Sequence, residues 1–385
     1  MKKNQELELY LHIPFCKKKC AYCDFLSQTG DEKLIKDYIS ALQREIKEVS
    51  ADFADRRIIS VFFGGGTPSI LPAGLIDRVM DTLRGCFSFG YGVEITIECN
   101  PGTLTREKLA IYKNAGINRL SMGVQSANDR ELAMLGRIHS FRDVLSNYEL
   151  ARNVGFSNIS MDLISGLPQQ SVTSFLQSLR KVVMLKPEHI SVYSLQIEEG
   201  TKYYDLYHYD DEARKRGDEP VLLPSEDAER AFIHESKRLL EEKGYRRYEI
   251  SNYARKGFTC RHNVGYWKRK DYLGLGLGAS SLIGRERFKR TTELAAYLKD
   301  DFEKKEKSLL TMKEEMSEMM FLGLRMDEGV SRGDFYDAFG ISLHQEYGEA
   351  IEKLKDQGLL LETPERVYLS ERGFDLANVA MAEFV

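Results

Sequence analysis

Three cysteines, Cys16, Cys20 and Cys23, fall within eight residues in the pattern C-x3-C-x2-C. Thiolates at this spacing, on a loop leaving a strand, can hold three corners of a cubane iron–sulfur cluster. A closed structural zinc site needs four ligands. No fourth cysteine follows, and Phe25 stands where one would; a zinc site completed by a remote Cys260 or His262 is the competing reading. Three thiols suit a [4Fe–4S] cluster whose fourth iron stays open to chelate the amino and carboxylate groups of a ligand. Lys17, Lys18 and Lys19 offset part of the negative charge of cluster and thiolates.

The elements that must position such a loop are legible as alternating β and α patterns. Short apolar runs at 7–13, 58–63, 93–98, 119–124, 159–164 and 189–195 read as buried parallel strands. Between them lie helical patterns: Leu34, Tyr38, Leu42 and Ile46 repeat every four residues, and 141–151 and 175–185 end near Gly155 and Pro187. Six β-then-α units predict a parallel sheet with right-handed crossovers. Unusual residues follow every strand: the cysteines, then Gly64-Gly65-Gly66-Thr67-Pro68, Glu98-Cys99-Asn100-Pro101, Gln125, Asp162 near Gly166-Leu167-Pro168, and Ser194. An open sheet concentrates its ligand residues at one crevice. A site spread over all strand ends is the habit of a barrel. The expected fold is α/β, a partial (β/α)6 TIM-like barrel.

Beyond residue 200 the pattern changes. A charged stretch at 210–219 reads as an exposed loop, 225–243 as a helix capped by Ser225, and 247–253 as a strand. The glycine-rich run 273–279 resembles a dinucleotide fingerprint but follows the barrel units, so a close-packed turn is expected. Helices at 314–325, 333–339 and 343–357 before strands at 359–362 and 367–370 suggest a small winged-helix-like α+β domain. The helix at 343–357 carries Glu346, Glu349, Glu352 and Asp356 against Lys353 and Lys355. That face would not attract phosphates. The expected division is 1–200, 201–305 and 306–385.

Composition narrows the class. The 385 residues are 42% hydrophobic and 30% charged, with 55 Lys+Arg against 59 Asp+Glu. That excludes a disordered chain, and the net charge of -4 gives no footprint for nucleic acid. No apolar run approaches the ~18 residues of a spanning helix, and the N-terminus lacks the long apolar segment of a secretory signal. A cytoplasmic protein is expected, in which clustered thiols point to metal chemistry rather than disulfides.

The run Tyr10-Leu-His-Ile-Pro-Phe-Cys16, with Cys20-Ala-Tyr-Cys23-Asp-Phe25, resembles the radical S-adenosylmethionine (SAM) superfamily. More narrowly it resembles the family of oxygen-independent coproporphyrinogen III oxidase and its haem-chaperone relative, over nearly the whole chain. The resemblance implies that Cys16, Cys20 and Cys23 ligate the cluster. It implies SAM contacts from Tyr10, from Gly65, Gly66 and Thr67 of the GGGTP turn, and from Glu98, Gln125, Arg137 and Asp162. Glycines let backbone groups approach a ligand closely, and Arg137 can bond a carboxylate bidentately. The implied chemistry is one-electron cleavage of SAM to methionine and a 5′-deoxyadenosyl radical, with the protein supplying position and water exclusion.

Three departures favour the chaperone branch: Phe25 in place of a fourth cysteine, only fifteen residues before Cys16, and the signature His262-Asn263-x-x-Tyr266-Trp267. Neutral imidazole is a common axial donor to haem, so His262 is a candidate haem ligand, with Cys260 competing and a buried packing histidine as the plain alternative. The resemblance implies haem as ligand, a reductant protein for the cluster, and acceptor haemoproteins, with membrane-associated respiratory enzymes as candidates. It assigns no catalytic residue; the oxidase, or another radical SAM enzyme, is the alternative.

Overall fold

The computed structural model describes residues 5–385. Six parallel strands paired in chain order form its centre: β1 (Glu6–Ile13), β2 (Arg57–Gly65), β3 (Ser88–Cys99), β4 (Arg119–Gln125), β5 (Ile159–Ser165) and β6 (His189–Ser194). Helices α1 (Glu32–Val49), α2 (Ala73–Cys86), α3 (Arg106–Asn114), α4 (Asp129–Met134), α5 (Phe141–Val154) and α6 (Val172–Met184) carry the chain back between them. Their ends follow from local chemistry. Asp31 accepts the Leu34 amide to start α1, a Ser140–Asp143 capping box starts α5, and left-handed Gly155 ends it.

The sheet grows at both sides. Helices α7 (Lys202–Lys215) and α8 (Glu226–Glu242) lead to β7 (Arg246–Glu249) and β8 (Asn252–Ala254), the latter antiparallel to β6. Helix α9 (Arg261–Trp267) leads to β9 (Tyr272–Leu275), parallel to β1, and then to β10 (Ser280–Ile283), β11 (Glu286–Lys289), α10 (Leu294–Tyr297) and β12 (Lys305–Leu309). The twelve-stranded order ends on β12 and β7, an open partial barrel. The glycine run after β9 is a turn, with Gly276 and Gly278 at φ 97° and 67°.

A second core around Met320, Phe335, Ile351, Leu354 and Val367 unites α11 (Met312–Gly323), β13 (Val330–Ser331), α12 (Arg332–Phe339), α13 (Leu343–Asp356), β14 (Leu360–Glu362), β15 (Arg366–Leu369), α14 (Glu371–Asp375) and α15 (Ala377–Ala382). Its three strands pair antiparallel in the order β13-β15-β14, a winged-helix-like arrangement.

Two expectations are corrected. The stretch 210–219 is not an exposed loop: its first half continues α7, capped by Thr201, and Asp210 accepts the amides of Val221, Leu222 and Leu223. The strands are also not apolar on both faces. Leu7, Leu9, Leu11, Ile95, Ile97, Leu120, Met122, Ile159, Met161 and Ile190 pack on the helices. Their alternate neighbours Glu8, Tyr10, Ser60, Glu94, Glu98, Arg119, Asp162 and His189 point the other way, into the barrel, because side chains alternate along a strand. TIM barrels ordinarily fill this lumen with branched apolar layers; here charged and polar side chains such as Glu98, Arg119 and Asp162 stand there beside aromatic ones such as Tyr10 and Phe62.

Helix α9 lies across the lumen at the N-terminal ends of the strands. Glu94 accepts the amides of Arg261 (2.9 Å) and His262 (3.3 Å) at its start. A Cβ on Gly265 would meet the Glu8 carboxylate at 2.1 Å, so glycine there lets α9 approach β1 with the Glu8 side chain in place. Burial pushes the pKa of Glu8, 1% exposed, up to about 8, against the pull of Lys270. The folded chain therefore keeps a proton that the unfolded chain loses near 4.5. This contribution is full below pH 4.5 and lost as pH rises through 8. His262, held down to about 3 by burial, acts oppositely, but only below its unfolded value of 6.5. Between pH 6.5 and 8 stability should fall, and Glu8→Gln should remove up to about 1.4 kcal/mol per pH unit of that slope. Melting temperatures across this range test it; an unchanged slope in the variant refutes it.

Candidate functional site

The cysteine loop leaves β1 and is pinned at several points. The Cys16 amide donates to Gln28 O (2.9 Å), Gln28 returns a bond to Pro14 O (2.8 Å), and the Ala21 amide reaches Leu135 O (3.1 Å). The GGGTP turn ending β2 packs against it. Gly66 donates to Ile13 O and Thr67 to Phe15 O, both at 2.8 Å. Thr67 Oγ1 lies 3.5 Å from Cys16 Sγ. Gly65 has a φ of 107°, and a Cβ there would meet the His12 ring at 2.5 Å.

Ten of the twelve candidate residues line one cavity of about 140 Å³: Cys16, Cys20, Cys23, Gly65, Gly66, Thr67, Glu98, Gln125, Arg137 and Asp162. All three thiols are free and partly accessible. Burial pushes the Cys23 thiol up, and a bound metal would draw its proton off. Among the described residues no three His, Cys, Asp or Glu side chains form a group that could hold a single metal ion. Cys260 is buried against Glu94 (3.6 Å) and does not line the cavity, so it does not complete a zinc site with the triplet. Three free thiols on one loop facing one cavity are a donor set that fits a cubane with an open iron.

The polar side chains around the thiols are preorganised. The Arg137 guanidinium donates to Gly123 O (2.9 Å), to Asn100 Oδ1 and to Cys20 Sγ (3.7 Å). Asn100 in turn donates to Thr67 Oγ1 at 2.8 Å. Glu98 accepts the Gly65 amide at 3.1 Å. Burial, with Asp162 nearby, pushes its pKa up to about 8, so a cationic ligand beside it would draw the proton off. Asp162 accepts the hydroxyls of Ser121, Ser160 and Ser191 at 3.0, 3.0 and 2.7 Å. Gln125 holds a left-handed φ of 64°, unusual for a side chain of its size. Such strain persists where surrounding structure imposes it, often at binding sites.

This cavity continues into the lumen, where a larger space of about 560 Å³ is lined by Tyr10, Phe62, Glu98, Asp162, Tyr193 and His262 among others. Tyr10 and His262, the two candidates outside the first cavity, are both here. Tyr10 stacks on Phe62 (6.4 Å, 22°), and Phe62 on His262 (5.1 Å, 22°). His262 Nδ1 meets Ser60 Oγ at 2.8 Å and Nε2 meets the Tyr266 hydroxyl at 3.0 Å. Both ring nitrogens are therefore engaged. Trp267 does not face this cavity; the Arg325 guanidinium lies 4.3 Å from its ring.

Sequence reasoning gave no role to several residues of this site. Asn100 stood in the ECNP motif as a strand-end residue, yet it links the GGGTP turn to Arg137. His12, in the HIPF run, donates from Nε2 to Leu26 O (2.8 Å), meets the Tyr10 hydroxyl through Nδ1 (3.1 Å) and braces Gly65. Both lie inside quoted motifs, so position beside a candidate was the available signal. Phe62 and Tyr193 carried none beyond strand alternation.

The radical SAM superfamily matches residues 10–182, and the HemN C-terminal domain matches 310–376. The chain is 35% identical over 381 residues to the heme chaperone HemW of Bacillus subtilis (strain 168), covering 98% of both chains. It is 37% identical over 284 residues to the heme chaperone HemW of Escherichia coli (strain K12), 74% of this chain and 72% of that one. Among solved structures it superposes on the coproporphyrinogen III oxidase HemN from Escherichia coli, a radical SAM enzyme, with a TM-score of 0.84 and 25% identity over 99% of this chain and 90% of that chain.

Proposed function

From the premise that the chain belongs to the heme chaperone HemW family of the radical SAM superfamily, we propose that it binds a [4Fe–4S] cluster, SAM and haem, and hands haem to acceptor haemoproteins. The observation that carries this is the shared cavity: three free thiols and seven polar or glycine positions meet in it, and it opens into the lumen beside His262. Cys16, Cys20 and Cys23 would hold three irons. When bound, the cluster supplies one-electron reduction of SAM at its open iron. Gly65, Gly66 and Thr67 present backbone groups to the methionine end, and Arg137 sets a cation beside Cys20 for its carboxylate. Glu98 and Asp162 offer carboxylates to ribose hydroxyls, while Tyr10 and Gln125 close the lumen side. His262 is the proposed haem donor, reached when Tyr266 turns away.

The test is titration of anaerobically reconstituted protein with haem. A shifted Soret band that disappears on transfer to an apo-haemoprotein supports the reading; no binding under any condition ends it. Conversion of coproporphyrinogen III with SAM and a reductant would instead establish the oxidase. His262→Ala should alter the Soret position of the bound haem and weaken binding by ~10-fold, the scale of one lost strong polar contact. An identical spectrum removes His262 as ligand.

A further inference from the structure

The lumen holds one charge that neither the cysteine loop nor the rim above it uses. Arg119, first residue of β4, is 2% exposed and lines the 560 Å³ cavity. Its Nε is buried without a hydrogen-bond partner. Buried charges are ordinarily paired, because an isolated one forfeits its hydration. Burial opposes the charge on Arg119, and Cys260, Glu94, Tyr248 and Asp162 around it favour it. Those carboxylates are already engaged elsewhere: Glu94 with the start of α9, Asp162 with three serine hydroxyls. His189 and His262 nearby are kept neutral by burial and by Arg119 itself. The guanidinium thus lies in the field of two carboxylates, but among the described residues none is in salt-bridge contact with it, and its Nε stays unpaired at the floor of the cavity.

A guanidinium fork matches a carboxylate bidentately. The walls above it are flat and apolar: Tyr10 and Phe62 on one side, Tyr193, Ile164 and Leu195 on the other. From Arg119 to Gln125 at the rim is six residues of strand, roughly 20 Å. A ligand can therefore touch the floor while its far end stays near the cysteine loop.

We propose that the lumen takes a ligand bearing a carboxylate on a flat apolar body, and that Arg119 holds that carboxylate. The ligand's identity rests on the haem-binding reading above: a haem propionate meets Arg119 while the macrocycle lies along the aromatic wall.

The test compares haem with haem dimethyl ester, whose propionates carry no charge, on anaerobic wild-type, Arg119→Gln and Arg119→Lys protein. Wild type should prefer the free acid by at least ~10-fold, as for a charge-assisted bond. Arg119→Gln should lose that preference, and Arg119→Lys should keep part of it, having the charge without the fork. Equal binding of acid and ester by wild type, or the same preference in Arg119→Gln, overturns the assignment and leaves haem binding standing. Binding of neither form by wild type overturns both readings. If Arg119→Gln does not fold, the wild-type acid-to-ester ratio decides alone.

Discussion

Cys20→Ala is expected to leave the protein folded and without its cluster. After anaerobic reconstitution, the brown visible absorbance of thiolate-bound iron–sulfur should be gone, and iron and acid-labile sulfide should fall to background. The loop itself is held by backbone bonds through Cys16, Ala21 and Gln28, none of which needs the Cys20 side chain. The melting temperature of the apo form should therefore stay near that of apo wild type. A lost Sγ also removes the acceptor of the 3.7 Å bond from Arg137, but Asn100 and Gly123 O still hold that guanidinium. The variant separates cluster from scaffold: SAM binding should fail with the cavity walls intact. Wild-type amounts of iron and sulfide in Cys20→Ala would show that the triplet is not the ligand set.

Gly66→Ala should damage the site from the other side. A Cβ there would stand 2.7 Å from Phe15 O, 2.8 Å from Phe15 N and 2.9 Å from Ile13 O, all backbone atoms that cannot swing away. Relief requires the GGGTP turn to part from the cysteine loop, breaking the Gly66 and Thr67 amide bonds and moving Thr67 from Cys16. A cost of roughly 2 kcal/mol is expected, as for other overpacked sites, with SAM affinity down by more than the stability loss explains. Gly74→Ala, in the first turn of α2 with nothing within 4 Å of its Cβ, is the control and should be neutral. If Gly66→Ala melts and binds like Gly74→Ala, the turn is not shaped for close approach.

Much of this was legible from sequence because it depends on local rules. All six central strands lie where apolar runs are bounded by glycine, proline and capping residues, and the residues ending them converge because parallel strands present their C-terminal ends together. What stayed hidden was non-local. Helix α7 has Tyr203 and Asp211 as its buried side chains, so no apolar stripe announced it, and the Asp210 bonds that tie it down reach eleven to thirteen residues ahead. The 260–267 segment read as a signature rather than a helix, because α9 is short and its start is satisfied by Glu94, far away in sequence. The charged part of the lumen was masked by alternation: Glu8 in ELELYL and Arg119 in NRLSMG lie inside runs that read as apolar strands, and nothing local marks them as parts of one inner surface.

That inner surface makes the molecule's thermal behaviour a gauge of its loading. In most barrels the inner layers are part of the core and contribute whether or not a ligand is present. Here Glu8, Arg119 and Asp162 occupy those places around an open space, so whatever fills it completes the interior. A ligand at a hundred times its dissociation constant adds about 2.7 kcal/mol to the stability of the state that binds it. The empty protein should then be the easier form to melt and to digest, so that protection from heat and protease reports how fully the interior is occupied.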